Sequence, residues 1–184
     1  MIKIAVIQFP GVNCEEESVL ACKKAGMDAE IYRWNCGVPL YNYDGFLIPG
    51  GWAYEDRVRA GAIAAKDPLM DGLKKQANAG KPIIGICNGA QVLVESGLIP
   101  NVQGEMKIEF ALAPNKSPRV SGYYCTWVNL LNVQSKPGVF TNALKFNDIV
   151  KAPIAHGEGR FVTNDERLVE KLKEDNQIVF RYCD

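Results

Sequence analysis

Three apolar runs constrain the fold most: "KIAVIQF" (3–9), "YDGFLIPGG" (43–51) and "KPIIGIC" (81–87) each lead into glycine- or proline-containing corners and then into helical patterns. From Gly45 the second run is apolar throughout, as expected of a strand covered by helices on both faces of a parallel sheet. Between the runs, "EEESVLACKKAG" predicts a helix with its apolar face at Val19, Leu20 and the Lys23 stem, closed by Gly26. "AEIYRW" (29–34) predicts a further strand, and "KDPLMDGLKKQANAG" a helix that stops at Gly80. Strand and helix alternate, which predicts an α/β fold: an open, doubly wound, mostly parallel sheet with helices on both faces. Beyond Gly97 the pattern changes. "KIEFALAP" and "GYYCTWVNLLNV" read as antiparallel strands around a turn containing Pro, Lys and Ser, and "NDERLVEKLKEDN" as an amphipathic helix with Leu168, Val169 and Leu172 inward.

A chain of 184 residues, 47% of them hydrophobic, has material for one substantial core, so a single domain over 1–184 is expected. Lys plus Arg and Asp plus Glu number 21 each, a balance that gives no pull toward nucleic acid or an anionic membrane. No signal-peptide pattern or membrane-length apolar stretch is visible, and a soluble, cytoplasmic protein is expected. The six cysteines form no C-x-x-C pair, so neither a metal site nor a redox dithiol is expected, and most are read as reduced, half-buried fillers.

Gly85-Ile86-Cys87-Asn88-Gly89 has the G-x-nucleophile-x-G form of a strand-to-helix elbow. Glycines on either side of a nucleophile let strand and helix approach it without a Cβ clash. A sulfur at a helix N-terminus is favoured as the thiolate that attacks a carbonyl carbon. The backbone N–H of Asn88 then points to where an oxyanion would form. Taken alone, the pattern also fits a cysteine packed at a strand edge. A second loop, "LIPGGWAYEDRVRAGAIA", follows another buried strand, and strand-end loops converge at one edge of an open sheet. Gly50 and Gly51 in that loop offer a second backbone donor to the same oxyanion.

Together, "PGGWAYEDRVRAGAIAA", "GICNGAQVLVESGLIP" and "PIAHGEGRF", with "FPGVNC" before them, resemble the glutaminase subunits of phosphoribosylformylglycinamidine synthase, which are class I glutamine amidotransferases. The resemblance implies a flavodoxin-like fold and a subunit that hydrolyses glutamine. It implies that the ammonia passes to a large synthase subunit, completed by a small accessory subunit, in purine biosynthesis. No cofactor is implied here; ATP and Mg would be used by the synthase. Carried over by position, Cys87 is the nucleophile, Gly51 and Asn88 form the oxyanion hole, and Gln91, one helical turn after Cys87, helps hold glutamine. The chain departs from the pattern at Trp52 (Phe usual), Ala53 (Ser usual), Glu55 (Gly usual) and Ala90 (an aromatic usual), and Thr126 stands where a basic residue is usual.

A cysteine nucleophile needs a histidine to carry its proton and an acid to orient that histidine. His156 is the only histidine, and His156-Gly157-Glu158 has the spacing that puts both side chains on one face of an extended strand. The resemblance instead implies a His-Pro-Glu motif beyond "VFRYCD", and so a domain lacking its C-terminal portion. Three readings stand open: a triad completed outside these residues, a triad using His156 and Glu158, and a non-catalytic binding or regulatory subunit. Another elbow-cysteine α/β hydrolase is the rival from a different enzyme class.

Overall fold

The computed structural model describes residues 1–116 and 122–184; the turn expected between the two strands after Gly97 falls largely on 117–121, outside the described residues. Residue contacts group into two compact units, one made of 1–101 with 105–108, the other of 102–104 with 109–184.

In the first unit, β1 (Lys3–Gln8), β2 (Asp28–Arg33), β3 (Gly45–Ile48) and β4 (Ile83–Gly85) form one parallel sheet in the order β2-β1-β3-β4. The chain leaves β1 toward β2 on one side and returns to β3 on the other. Right-handed crossovers then put the connecting helices on opposite faces, and the strand order reverses beside β1. Side-chain alternation along β1 shows the two faces. Ala5 and Ile7 enter a core with Phe46, Ile48, Met70, Leu73, Val92 and Leu93, whereas Val6 joins Cys22, Ala29 and Leu47. The first face is covered by α2 (Pro68–Asn78) and α3 (Asn88–Ser96), the second by α1 (Glu15–Lys24).

Local chemistry fixes the helix ends. Asp67 caps α2 by accepting the Leu69 N–H at 2.8 Å, with Pro68 in the first turn, where a missing N–H costs nothing. Gly97 ends α3 in the left-handed region at φ 76°. α1 is rotated from the sequence expectation: its buried residues are Ser18 and Cys22, with Val19 packed alongside and Leu20 54% exposed. The small Cys22 fits against Val6 and Leu47, and that fit sets the rotation of a helix whose own apolar stripe is weak. The cysteines also depart from expectation. None of the six is in a disulfide, but only Cys22 is buried and Cys183 is partly covered; Cys14, Cys36, Cys87 and Cys125 are exposed.

The second unit is antiparallel. β5 (Ala111–Pro114) pairs with β8 (Glu158–Val162), and β6 (Tyr124–Asn132) lies between β7 (Ile149–His156) and β9 (Phe180–Cys183). Helix α4 (Glu166–Glu174) is capped by Asp165, which accepts the Arg167 N–H. Leu168 is buried and Val169 and Leu172 are half-buried, the face its sequence predicts. Among the described residues no helix is long and apolar enough to cross a membrane.

Candidate active site

Three loops leave the carboxyl ends of β1, β3 and β4. The first two are stitched by an antiparallel bridge between Val12 and Gly51, with Asn13 N–H donating to the Gly50 carbonyl (3.4 Å) and Trp52 N–H to the Gly11 carbonyl (3.0 Å). In such a pair the bonds belong to the flanking residues, which leaves the Gly51 N–H outside the ladder. Gly51 sits at φ 137°, and a Cβ there would lie 2.8 Å from the Asn13 nitrogen, so only glycine fits.

The third loop is the elbow. Ile86 N–H donates to the Ile48 carbonyl at 3.0 Å, continuing the β3–β4 ladder by one residue, and the chain then turns at Cys87 into α3. Cys87 has φ 54° and ψ −113°, a backbone state that a non-glycine residue holds only under strain, and its side chain is exposed. The close approaches that permit this turn fall at the two glycines. A Cβ on Gly85 would meet the Gly89 carbonyl oxygen at 2.5 Å, and one on Gly89 would overlap the Ile48 carbonyl. Asn88 is the first residue of α3, so its N–H has no acceptor within the helix. A Cβ placed on Gly50 would be 3.4 Å from the Cys87 Cβ and 3.7 Å from the Cys14 Sγ, so both thiol residues flank this glycine. Burial of the Cys14 sulfur pushes its pKa up, and the charges of Glu17, Cys87 and Glu15 add to the effect.

The β3 loop is strained over several residues. Tyr54, Glu55, Asp56 and Val58 have φ of 54°, 59°, 50° and 74°, each costing about 1 kcal/mol outside glycine. Glu55, where the resemblance expects glycine, is one of them. Tyr54 donates its hydroxyl to Asp67 at 2.6 Å, and burial of the phenol followed by that carboxylate pushes its pKa well above the usual tyrosine value. Arg59 makes a two-pronged pair with Glu95 of α3, its Nε donating at 2.8 Å; Glu95 is buried, and its hydrogen bonds and then its charge raise the Arg59 pKa.

Cys87, Gly51, Asn88 and Gln91, the residues singled out in the sequence, thus lie on converging strand-end loops and on the first turns of α3. Gln91 accepts from the Asn88 Nδ2 at 2.9 Å through its Oε1. His156 and Glu158 belong to the second unit and do not share a strand: β7 ends at His156, the chain bends at Gly157, and Glu158 opens β8 in a different sheet. His156 lies in a groove of about 250 Å³ with Asn115, Lys116, Tyr124, Arg160 and Tyr182, and its buried Nδ1 has no hydrogen-bond partner among the described residues. The sequence reading missed the Asn88 side chain, Asp56 and the Arg59–Glu95 pair, whose partners are far apart along the chain. Among the described residues no cluster of His, Cys, Asp and Glu is suited to a metal ion.

Known proteins match this chain over nearly its whole length. A family profile described as "CobB/CobQ-like glutamine amidotransferase domain" matches residues 1–184. "Phosphoribosylformylglycinamidine synthase subunit PurQ" of Methanothrix thermoacetophila is 49% identical over 189 residues, covering 99% of this chain and 71% of that protein. The subunit of the same name from Pyrococcus furiosus is 42% identical, covering 100% of this chain and 73% of that protein. A chain of the solved "Structure of PurLQS from Thermotoga maritima" superposes with a TM-score of 0.81 at 31% identity, covering all of this chain and 75% of that one. The chain belongs to the glutamine amidotransferase family, in the branch formed by the PurQ subunits of phosphoribosylformylglycinamidine synthase.

Proposed function

We propose that this chain hydrolyses glutamine at Cys87 as the glutaminase subunit of phosphoribosylformylglycinamidine synthase. The observation that carries the reading is the strained, exposed Cys87 at the head of α3, beside a glycine loop whose Gly51 N–H stands outside its ladder. Cys87 sulfur attacks the side-chain amide carbon of glutamine. The N–H groups of Asn88 and Gly51 hold the tetrahedral oxyanion, ammonia leaves, and water releases glutamate from the thioester. Losing one such donor costs about 3 kcal/mol of transition-state stabilisation. Gln91, on the same helix face, helps to hold the glutamine.

In this reading the ammonia passes to a large synthase subunit, with a small accessory subunit in the same complex, and ATP and Mg are used by the synthase while this chain needs no cofactor. The names of the relatives support that assembly. A cytoplasmic location accompanies it, where free thiols stay reduced.

The test is intact mass after exposure to a glutamine-like electrophile, together with ammonia release from glutamine. One adduct, lost in Cys87→Ser, and ammonia release by the parent are the expected results; no adduct and no ammonia would overturn the reading. His156→Ala in the same assay decides the base: unchanged labelling removes His156 from the triad, and loss of labelling assigns it.

A further inference from the structure

Asn88 is 1% exposed, and its side-chain amide reaches three groups. Its Oδ1 accepts the Ala53 N–H at 2.9 Å; its Nδ2 donates to Asp56 Oδ1 at 2.8 Å and to Gln91 Oε1 at 2.9 Å. The amide orientation is fixed by its neighbours, because a backbone N–H can only donate and an ionised carboxylate can only accept. Ala53 and Asp56 bound the stretch in which Tyr54, Glu55 and Asp56 all have positive φ. That loop segment begins two residues after Gly51. Backbone held in such states persists only where surrounding contacts over-determine it, and the Asn88 amide supplies contacts at both ends.

We propose that the Asn88 side chain is a positioning residue for glutamine hydrolysis: it latches the β3 loop to the head of α3 and so sets where the Gly51 donor stands relative to Asn88's own N–H. One residue thereby gives the first oxyanion donor from its backbone and places the second through its amide. The side chain does not touch the reacting atoms. Its hydrogen bond to Gln91 extends the same network to the side chain assigned to hold glutamine. Alanine or leucine at this position would keep the backbone N–H and lose the latch, which makes the two roles separable. This inference rests on the glutaminase reading only for its catalytic consequence.

The experiment measures kcat and KM for glutamine and amide hydrogen exchange at Ala53, in the full chain and in three variants: Asn88→Ala, Asn88→Asp, and Asn88→Asp combined with Asp56→Asn. In Asn88→Ala the Ala53 amide loses its protection and kcat falls on the order of 10²-fold, with KM within about threefold, because the loss is felt in the transition state. Asn88→Asp sets two carboxylates against each other and is also slow. The double variant exchanges donor and acceptor across the pair, and the Gln91 amide can rotate to donate, so kcat recovers by about tenfold or more over Asn88→Asp. A merely structural role would lower thermal stability without moving kcat of the folded protein or responding to the exchange. Unchanged kcat in Asn88→Ala, or no recovery in the double variant, overturns the proposal. Where Asn88→Ala does not fold, the comparison between Asn88→Asp and the double variant decides it. If the parent releases no ammonia, the glutaminase reading fails for this chain, while Ala53 exchange in Asn88→Ala still decides the latch: lost protection retains it and unchanged protection removes it.

Discussion

Replacing Gly85 by alanine tests whether the approach of strand to helix sets the elbow. The added Cβ would lie 2.5 Å from the Gly89 carbonyl oxygen, 2.6 Å from its carbon and 2.7 Å from Leu93 Cδ1. An ordinary carbon–oxygen contact is about 3.4 Å, so the first turn of α3 must retreat from β4 by about 0.9 Å. Leu93 is in the core and has little room to turn. Overpacking of this kind costs about 3 kcal/mol at the upper end of its usual range, offset by about 0.7 kcal/mol from the stiffer unfolded chain. The expected net loss is about 2 kcal/mol, read as a lower urea midpoint at unchanged slope. The same retreat carries the Asn88 N–H and Cys87 with it, and a displacement of about 1 Å in a reacting geometry costs on the order of 10²-fold in rate. Turnover should therefore fall by far more than the loss of folded protein explains. A midpoint shift worth less than about 0.5 kcal/mol, together with unaltered ammonia release, would refute the steric reasoning.

Glu55→Gly should relieve left-handed strain and raise stability by about 0.5 kcal/mol after the entropy of the freer unfolded chain is subtracted, since the Glu55–Arg57 pair it removes is exposed; a lower melting temperature would contradict this. Arg59→Ala leaves the buried Glu95 carboxylate without its two-pronged partner and should cost about 2 kcal/mol, checked by denaturant unfolding, and a loss under about 0.5 kcal/mol would show that water replaces the guanidinium. Cys14, whose thiol is pushed up by burial and by Glu17, Cys87 and Glu15, holds its proton to higher pH than a free thiol. At pH 8 it should alkylate more slowly than a model peptide, catching up only as pH rises past the ordinary thiol pKa; mass mapping that finds it as fast at pH 8 would contradict the assigned causes.

The elbow was legible because its requirements are local. Two glycines, a cysteine and the start of an apolar helix lie within a few residues, and backbone sterics alone dictate that arrangement. The parallel sheet was legible for a similar reason, since runs such as "FLI" in β3 are apolar on both faces only where helices cover both. The α1 face was misread because the pocket of Val6 and Leu47, remote in sequence, selected Cys22 over Leu20. The spacing of His156 and Glu158 suggested one strand, but the chain changes sheets at Gly157 because β8 finds its partner in β5.

By itself the sequence determined the alternation of strands and helices, the cysteine at its corner and the glycines that admit it, because these follow from residue volume and backbone freedom over short spans. Only the tertiary structure decided that the loops of β1 and β3 are stitched through Val12 and Gly51, and that the Asn88 amide reaches Ala53 and Asp56 across 35 and 32 positions. Hydrogen bonds carry no signature of their partner along the chain. Their pairing is set by how the sheet stacks its strand ends, where polar groups distant in sequence come within 3 Å of each other.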